Sequence, residues 1–217
     1  MKGTKFIRRE ALNWILILLP FAYLFAVYGR LPAFAPIPLN WEQAVYYQVI
    51  FTMGVAVFGY IYLLVKPAVV PKTAFHENLR LYHRIRTLVL CFLSLLSIIW
   101  ISTAIGIGFN WSKIAFILAM AFIIIFGNIY PTIRFNYMIG IKNVWTLSSE
   151  YIWVKTHRFA GRMLFAAGFI GAVLGILFNP YPIPYMPVIY VVGIFTLTGI
   201  AHLYSYLLFR KQQVPQA

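Results

Sequence analysis

Aspartate is absent, and the acidic side chains are reduced to four glutamates, Glu10, Glu42, Glu77 and Glu150, in 217 residues. Without an aspartate no Ser-His-Asp set can be assembled. Neither a glycine-rich phosphate loop nor an H-E-x-x-H pair is present, which leaves a hydrolase or a nucleotide-driven pump little to stand on. The single cysteine, Cys91, excludes an intramolecular disulfide and a Cys–Cys metal site. Inside an apolar run it reads as a small buried hydrophobe. No cofactor and no metal are expected, and no catalytic residue stands out.

Hydrophobic residues are plentiful instead, at 62% with a mean hydropathy of +0.82. Soluble domains sit near 45–50% apolar, and a chain this short has too little interior to hide the excess. Lipid is therefore the solvent for much of it. The 15 tyrosines and 19 phenylalanines suit helices that meet headgroups through aromatic belts. The fold class implied is all-α, an integral membrane bundle of about six transmembrane helices forming one domain over residues 1–217.

Apolar runs of roughly 17–25 residues are needed to cross a bilayer. Read by that length, the spans fall at about 11–28, 46–65, 87–106, 114–129, 163–178 and 187–209. The fourth can continue toward Ile133, and Pro20 kinks the first. Lys2, Lys5, Arg8 and Arg9 before an apolar run also describe a signal peptide. The Ala33-Phe34-Ala35 triplet, however, lies too far beyond the run, behind Arg30 and Pro32, so the first helix is read as uncleaved.

Eighteen Lys and Arg give a formal net charge of +14. Such a balance can indicate nucleic acid, but these residues flank apolar runs, so no direct nucleic-acid binding is expected. Sixteen of them fall in the N-terminus, the second and fourth loops and the C-terminus; only Arg30 and Lys113 fall on the other side. The positive-inside rule then places both termini in the cytoplasm, where anionic headgroups add attraction. The outer loops, around Pro32-Ala33-Phe34-Ala35-Pro36 and Pro180-Tyr181-Pro182, read as stiff caps. No internal repeat supports an inverted-repeat transporter, and the tail from Gln212 reads as disordered.

Polar residues inside the spans are scarce, and His202 is the clearest. An intramembrane ionisable group is a functional candidate by default, and the alternative is a neutral His bonded to a neighbouring helix. His76 and His83 would share a helix face but form only a weak metal site. Ala167, Gly171 and Gly175, four apart, make one face of the fifth span small enough for a neighbouring helix to approach. The fourth loop carries the most information. Ser148 or Ser149 is a plausible N-cap, with Glu150 in the first turn offsetting the helix dipole. Trp145 and Trp153 suit the headgroup level. Glu150 is expected to pair with a Lys or Arg, because an unpaired carboxylate at that depth would be costly. Together these predict an interfacial helix that turns into the fifth span, and for that much anchoring and topology suffice.

Within residues 136–162, Asn136, Gly140, Lys142, Trp145, Thr146, Leu147, Glu150, Trp153, His157 and Arg158 fall at a specific spacing. The pattern resembles the signature of the SdpI-type immunity protein family, with Lys142 where Arg is common and Asn143 where Thr is common. The resemblance covers the fourth loop and the spans around it; before the second span, Pro36-Ile37-Pro38-Leu39-Asn40-Trp41 is a degenerate echo. It implies a polytopic protein of the bacterial inner membrane that protects a cell from a secreted antimicrobial peptide toxin. It also implies a cytoplasmic transcriptional repressor as a partner held at the membrane. Membrane lipids are the remaining expected partner. Two other functions compete. One is transport of a peptide or lipid-like solute, using His202 and the kink at Pro20. The other is a membrane enzyme acting on lipid headgroups, with Glu150 and His157 as acid and base.

Overall fold

The computed structural model describes residues 2–30, 41–69, 79–137, 139–178 and 186–213. The proline-rich outer loops, His76 and the tail beyond Gln213, on which expectations were placed above, lie outside the described residues. Among the described residues the chain is helical without strands. Its elements are α1 (Lys2–Val27), α2 (Trp41–Val69), α3 (Leu79–Ala104), α4 (Trp111–Ile129), α5 (Val144–Ser148), α6 (Glu150–Leu177) and α7 (Met186–Gln213). Six of these are long, and each contains most or all of one span read from the sequence. By length and apolarity, Glu10–Arg30, Leu79–Ala104, Lys113–Thr132 and Glu150–Leu177 are candidate membrane spans, with Val49–Val65 a shorter apolar helix.

The helix ends obey local chemistry. After Ala104 the chain makes a glycine-terminated C-cap: Gly106 has φ +71°. Its N–H donates to Thr103 O at 3.1 Å, and Ile107 N–H donates to Ser102 O at 3.2 Å. Those two bonds satisfy carbonyls that would otherwise be orphaned at the helix end. The third span therefore stops short of the expected Gly106. The fourth span continues toward Ile133 as expected, reaching Thr132: the α-helix ends at Ile129 and a 3-10 turn, Tyr130–Thr132, carries it on past Pro131, whose missing N–H cannot extend the α-helical ladder.

The chain contacts divide it into two compact units, residues 1–69 with 83–118, and residues 70–82 with 119–217. In the first unit, α1, α2 and α3 bury one apolar cluster of Val27, Val49, Met53 and Ile101, and another of Ile17, Tyr60 and Leu90. In the second unit, α4 and α6 approach backbone to backbone. A Cβ on Gly127 would lie 2.9 Å from Gly161 O, and one on Gly161 would lie 2.7 Å from Gly127 O. Glycine is the residue that permits this approach. Gly168 continues the contact, with a Cβ there 2.9 Å from Ile124 Cγ1. The small face expected on the fifth span packs within the chain at Gly171, where a Cβ would run into Met120, and at buried Gly175; Gly161 and Gly168 extend it, whereas Ala167 is exposed.

Candidate functional site

The signature segment folds as a loop clamped onto the first turns of α6. Asn136, 3% exposed, organises its start: its Oδ1 accepts from Ile139 N–H at 2.8 Å and its Nδ2 donates to Arg134 O at 2.6 Å. Gly140 has φ +115°, a conformation L-residues rarely hold. A side chain there would also run into His157 Nε2 and the Trp153 ring. The loop can therefore lie flat on α6 only with glycine at this position.

His157 is the pin. Its Nδ1 lies 2.8 Å from Trp153 O, an acceptor, and its Nε2 accepts from Ile141 N–H at 3.0 Å. One ring nitrogen must carry a proton and the other must not, so both bonds are met by the neutral Nδ1–H tautomer. Trp153, fully buried, donates its Nε1–H to Ile133 O at 2.9 Å. It stacks on His157 with ring centroids 4.1 Å apart and meets Phe135 edge-on at 5.4 Å. Tyr130 also stacks on His157, with centroids 5.8 Å apart. These aromatic contacts stabilise beyond the area they bury.

The second half of the loop is tied to α7. Asn143 caps α5: its side chain accepts from Thr146 N–H at 2.8 Å, and Asn143 N–H donates to Thr146 Oγ1 at 3.0 Å. This reciprocal capping box satisfies two helix-end donors, with threonine in the place usual for Glu or Gln. Thr146 Oγ1 also donates to Ile141 O at 2.9 Å. Asn143 Nδ2 donates to Ser205 Oγ on α7 at 2.8 Å, and Ser205 Oγ donates to His202 O at 2.7 Å. Trp145 packs on Tyr206 with centroids 5.1 Å apart, and Phe159 stacks on Tyr204 at 4.2 Å.

The signature residues therefore divide into two sets. Asn136, Gly140, Thr146, Trp153 and His157 face inward and hold the loop, with Trp145 and Leu147 half-buried beside them. Lys142, Glu150 and Arg158 are exposed. Several expectations change. Ser149 stands at the N-cap of α6, as expected, but makes no side-chain cap bond; the capping side chain in this segment is Asn143, on α5. Trp153 is not at a headgroup surface; its N–H has a carbonyl partner inside, so full burial leaves no donor unmet. Glu150 opens α6 as expected, but among the described residues it forms no ion pair. The interfacial helix is not a separate element: α6 runs unbroken from Glu150 to Leu177. His202, half-buried, bonds Thr198 O of its own helix at 2.8 Å rather than a neighbouring helix. Glu150 and His157 do not form an acid–base pair, since both His157 nitrogens are committed to backbone groups.

The first unit holds a polar site with no counterpart among the residues expected from the sequence. Glu10 on α1 forms an ion pair with Arg86 on α3. Its other oxygen accepts from Tyr60 of α2 at 3.0 Å and from Asn13 Nδ2 at 3.3 Å. Thr87 Oγ1 donates to Asn13 Oδ1 at 2.8 Å, and the Arg86 guanidinium lies over the Tyr60 ring at 5.6 Å. The Arg86 side chain is 2% exposed and that of Glu10 12%. Arg86 Nε is buried without a partner among the described residues. Further along the same unit, Ser97 Oγ donates to Thr52 Oγ1 at 3.1 Å and Tyr23 OH meets Ser102 Oγ at 3.0 Å. Arg86 and Glu10 each sit one residue outside an expected span, where they read as flanking charges. Their sequence separation of 76 residues hides the pairing from any local pattern.

The SdpI/YfhL protein family model matches residues 132–206. The chain is also 28% identical over 210 residues to the Immunity protein SdpI of Bacillus subtilis (strain 168), covering 94% of this chain and 97% of that protein. No solved structure matches. The matched segment begins at the turn before Asn136 and ends at Tyr206, and so spans the clamped loop, α6 and the α7 residues that hold it. Residues 132–206 thus match the SdpI/YfhL protein family model, in a membrane-integral chain that is helical throughout its described residues.

Proposed function

We propose that this protein is a membrane immunity protein that protects a bacterium from a secreted, membrane-active peptide toxin. The observation that carries the reading is the alignment to an immunity protein along nearly its whole length. The division of the signature supports it: an interior set builds a rigid platform, and Lys142, Glu150 and Arg158 are displayed on its outer side. The whole chain acts as one transmembrane domain in the inner membrane, with both termini cytoplasmic on the sixteen-to-two distribution of basic residues. On that topology the displayed residues face the cytoplasm, where they suit a relay to a repressor held at the membrane. The protein has no catalytic role in this account. Expression in a toxin-sensitive strain should raise survival in the producer's toxin over an empty-vector control. Equal killing by every related peptide tested would refute the reading.

Transport is the second reading, and one observation favours it. Glu10, Arg86, Thr52, Ser97, Tyr23 and Ser102 spread polar groups along the interior of the first unit, and intramembrane ionisable groups often mark solute pathways. Saturable, gradient-coupled uptake in proteoliposomes that is lost in Glu10→Gln would support it. No flux of any peptide tested would end it.

A further inference from the structure

Helix α6 has 28 residues, about 42 Å at 1.5 Å per residue, whereas a bilayer's hydrocarbon core is about 30 Å thick. Part of α6 must lie at headgroup depth. Its exposed face shows which part. Lys155, Arg158 and Arg162 are all exposed and fall within about 60° of one another around the helix. The same stripe continues with Phe165, Phe169 and Val173, which are 41%, 55% and 38% exposed. The change from cationic to apolar is abrupt and falls between Arg162 and Phe165.

The details fit a surface with two chemistries. Arg162 Nε reaches back to Arg158 O at 3.4 Å, drawing its guanidinium toward the basic end, as a snorkelling side chain does. Lys155 Nζ lies 5.6 Å over the Tyr151 ring. The Arg158 guanidinium has no partner among the described residues. Phe165 and Phe169 lie parallel, with planes 5° apart and centroids at 6.3 Å, leaving a flat apolar strip below the cations. Glu150, the one carboxylate on this helix, lies about 100° round the helix from Tyr151, off the stripe.

We propose that this face of α6 is a binding site for one anionic phospholipid, its phosphate held by Lys155, Arg158 and Arg162 and its acyl chains lying along Phe165, Phe169 and Val173. Charge complementarity selects the anionic headgroup. The apolar continuation directly below selects a lipid over a free phosphate or an acidic protein segment. The opposite face of these turns carries Trp153 and His157, both buried, so the lipid would seat on the outer side of the element that the signature loop clamps.

The test uses the full-length protein in nanodiscs or detergent, with bound lipid counted by native mass spectrometry. Wild type should retain phosphatidylglycerol in preference to phosphatidylcholine. A basic residue near an anionic surface contributes about fivefold, so Lys155→Gln/Arg158→Gln/Arg162→Gln should lower that preference by roughly a hundredfold. The control Arg210→Gln/Lys211→Gln, which lowers net charge elsewhere, should keep it. The thermal midpoint in pure phosphatidylcholine should match wild type, and if the triple variant fails to fold, Arg158→Gln and Arg162→Gln are read singly at about fivefold each. Equal retention of the two lipids, or undiminished preference in the variants, would overturn the proposal. Binding of inorganic phosphate, or of a polyglutamate peptide, as tight as that of phosphatidylglycerol would overturn the choice of a lipid.

Discussion

Replacing Glu10 by glutamine is the sharpest perturbation of the first unit. The amide keeps the shape and an acceptor for Tyr60, but it removes the charge opposite Arg86. The Arg86 guanidinium would then stand almost fully enclosed, with its Nε already unpartnered. Removing one member of a buried ion pair costs about 3–5 kcal/mol, because the other is left uncompensated. Arg86→Gln should cost less, about 2 kcal/mol: Glu10 is the more exposed partner, keeps its bonds from Tyr60 and Asn13, and buried carboxylates can neutralise by taking a proton. The double variant Glu10→Gln/Arg86→Gln should be less destabilised than the sum of the two, with a coupling of at least about 1–2 kcal/mol, as expected for residues in direct contact. Unfolding in mixed micelles, followed by tryptophan fluorescence, would give all three values. Additive single effects, or a Glu10→Gln cost below about 1 kcal/mol, would refute the buried pair as the clamp of α1 to α3.

The second unit makes its own predictions. Gly140→Ala should destabilise by about 1–3 kcal/mol, since it forces a positive φ on a residue with a Cβ and pushes into His157; a melting midpoint unchanged from wild type would contradict the clamped loop. Trp153→Phe leaves Ile133 O without its donor, a loss of about 1–3 kcal/mol, read in the same unfolding assay. Thr156 Oγ1 is buried without a partner among the described residues, so Thr156→Val should be neutral or stabilising by up to about 1 kcal/mol; a marked loss would mean the hydroxyl has a partner. Gly127→Ala drives a Cβ to 2.5 Å from Phe165 N and should cost about 1–3 kcal/mol by overpacking.

The six long helices are legible in the sequence, and for Glu10–Arg30, Leu79–Ala104, Lys113–Thr132 and Glu150–Leu177 length and apolarity alone select a candidate membrane span, with no tertiary contact needed to see it. Glu150 at the head of α6 is legible for the same local reason, a carboxylate suited to a helix N-terminus. The cap of α6 is legible in place, at Ser149, although its side chain makes no bond there; the reciprocal cap of α5 by Asn143 and Thr146, three residues apart, is not foreseen. The burial of Trp153 does leave a signal. Trp153, His157, Ala160 and Gly161 recur at the helical repeat on one face, and a glycine on that face marks a close neighbour. The amphipathic character of tryptophan points the other way, toward the headgroups. Glu10 and Arg86 are not legible, because a charge one residue beyond an apolar run looks the same whether it meets water or another helix. The bond between Asn143 and Ser205 crosses 62 residues and leaves no local trace.

In the proposed division of labour, the exposed signature residues act in immunity while the inward ones hold the platform. Survival in a secreted peptide toxin should be compared for wild type and Lys142→Gln/Glu150→Gln/Arg158→Gln in a sensitive strain, at matched membrane levels and matched unfolding midpoints. Wild type is expected to protect and the folded triple variant is not. Equal protection by the two would reduce the signature to a scaffold, and no protection by wild type would contradict immunity itself.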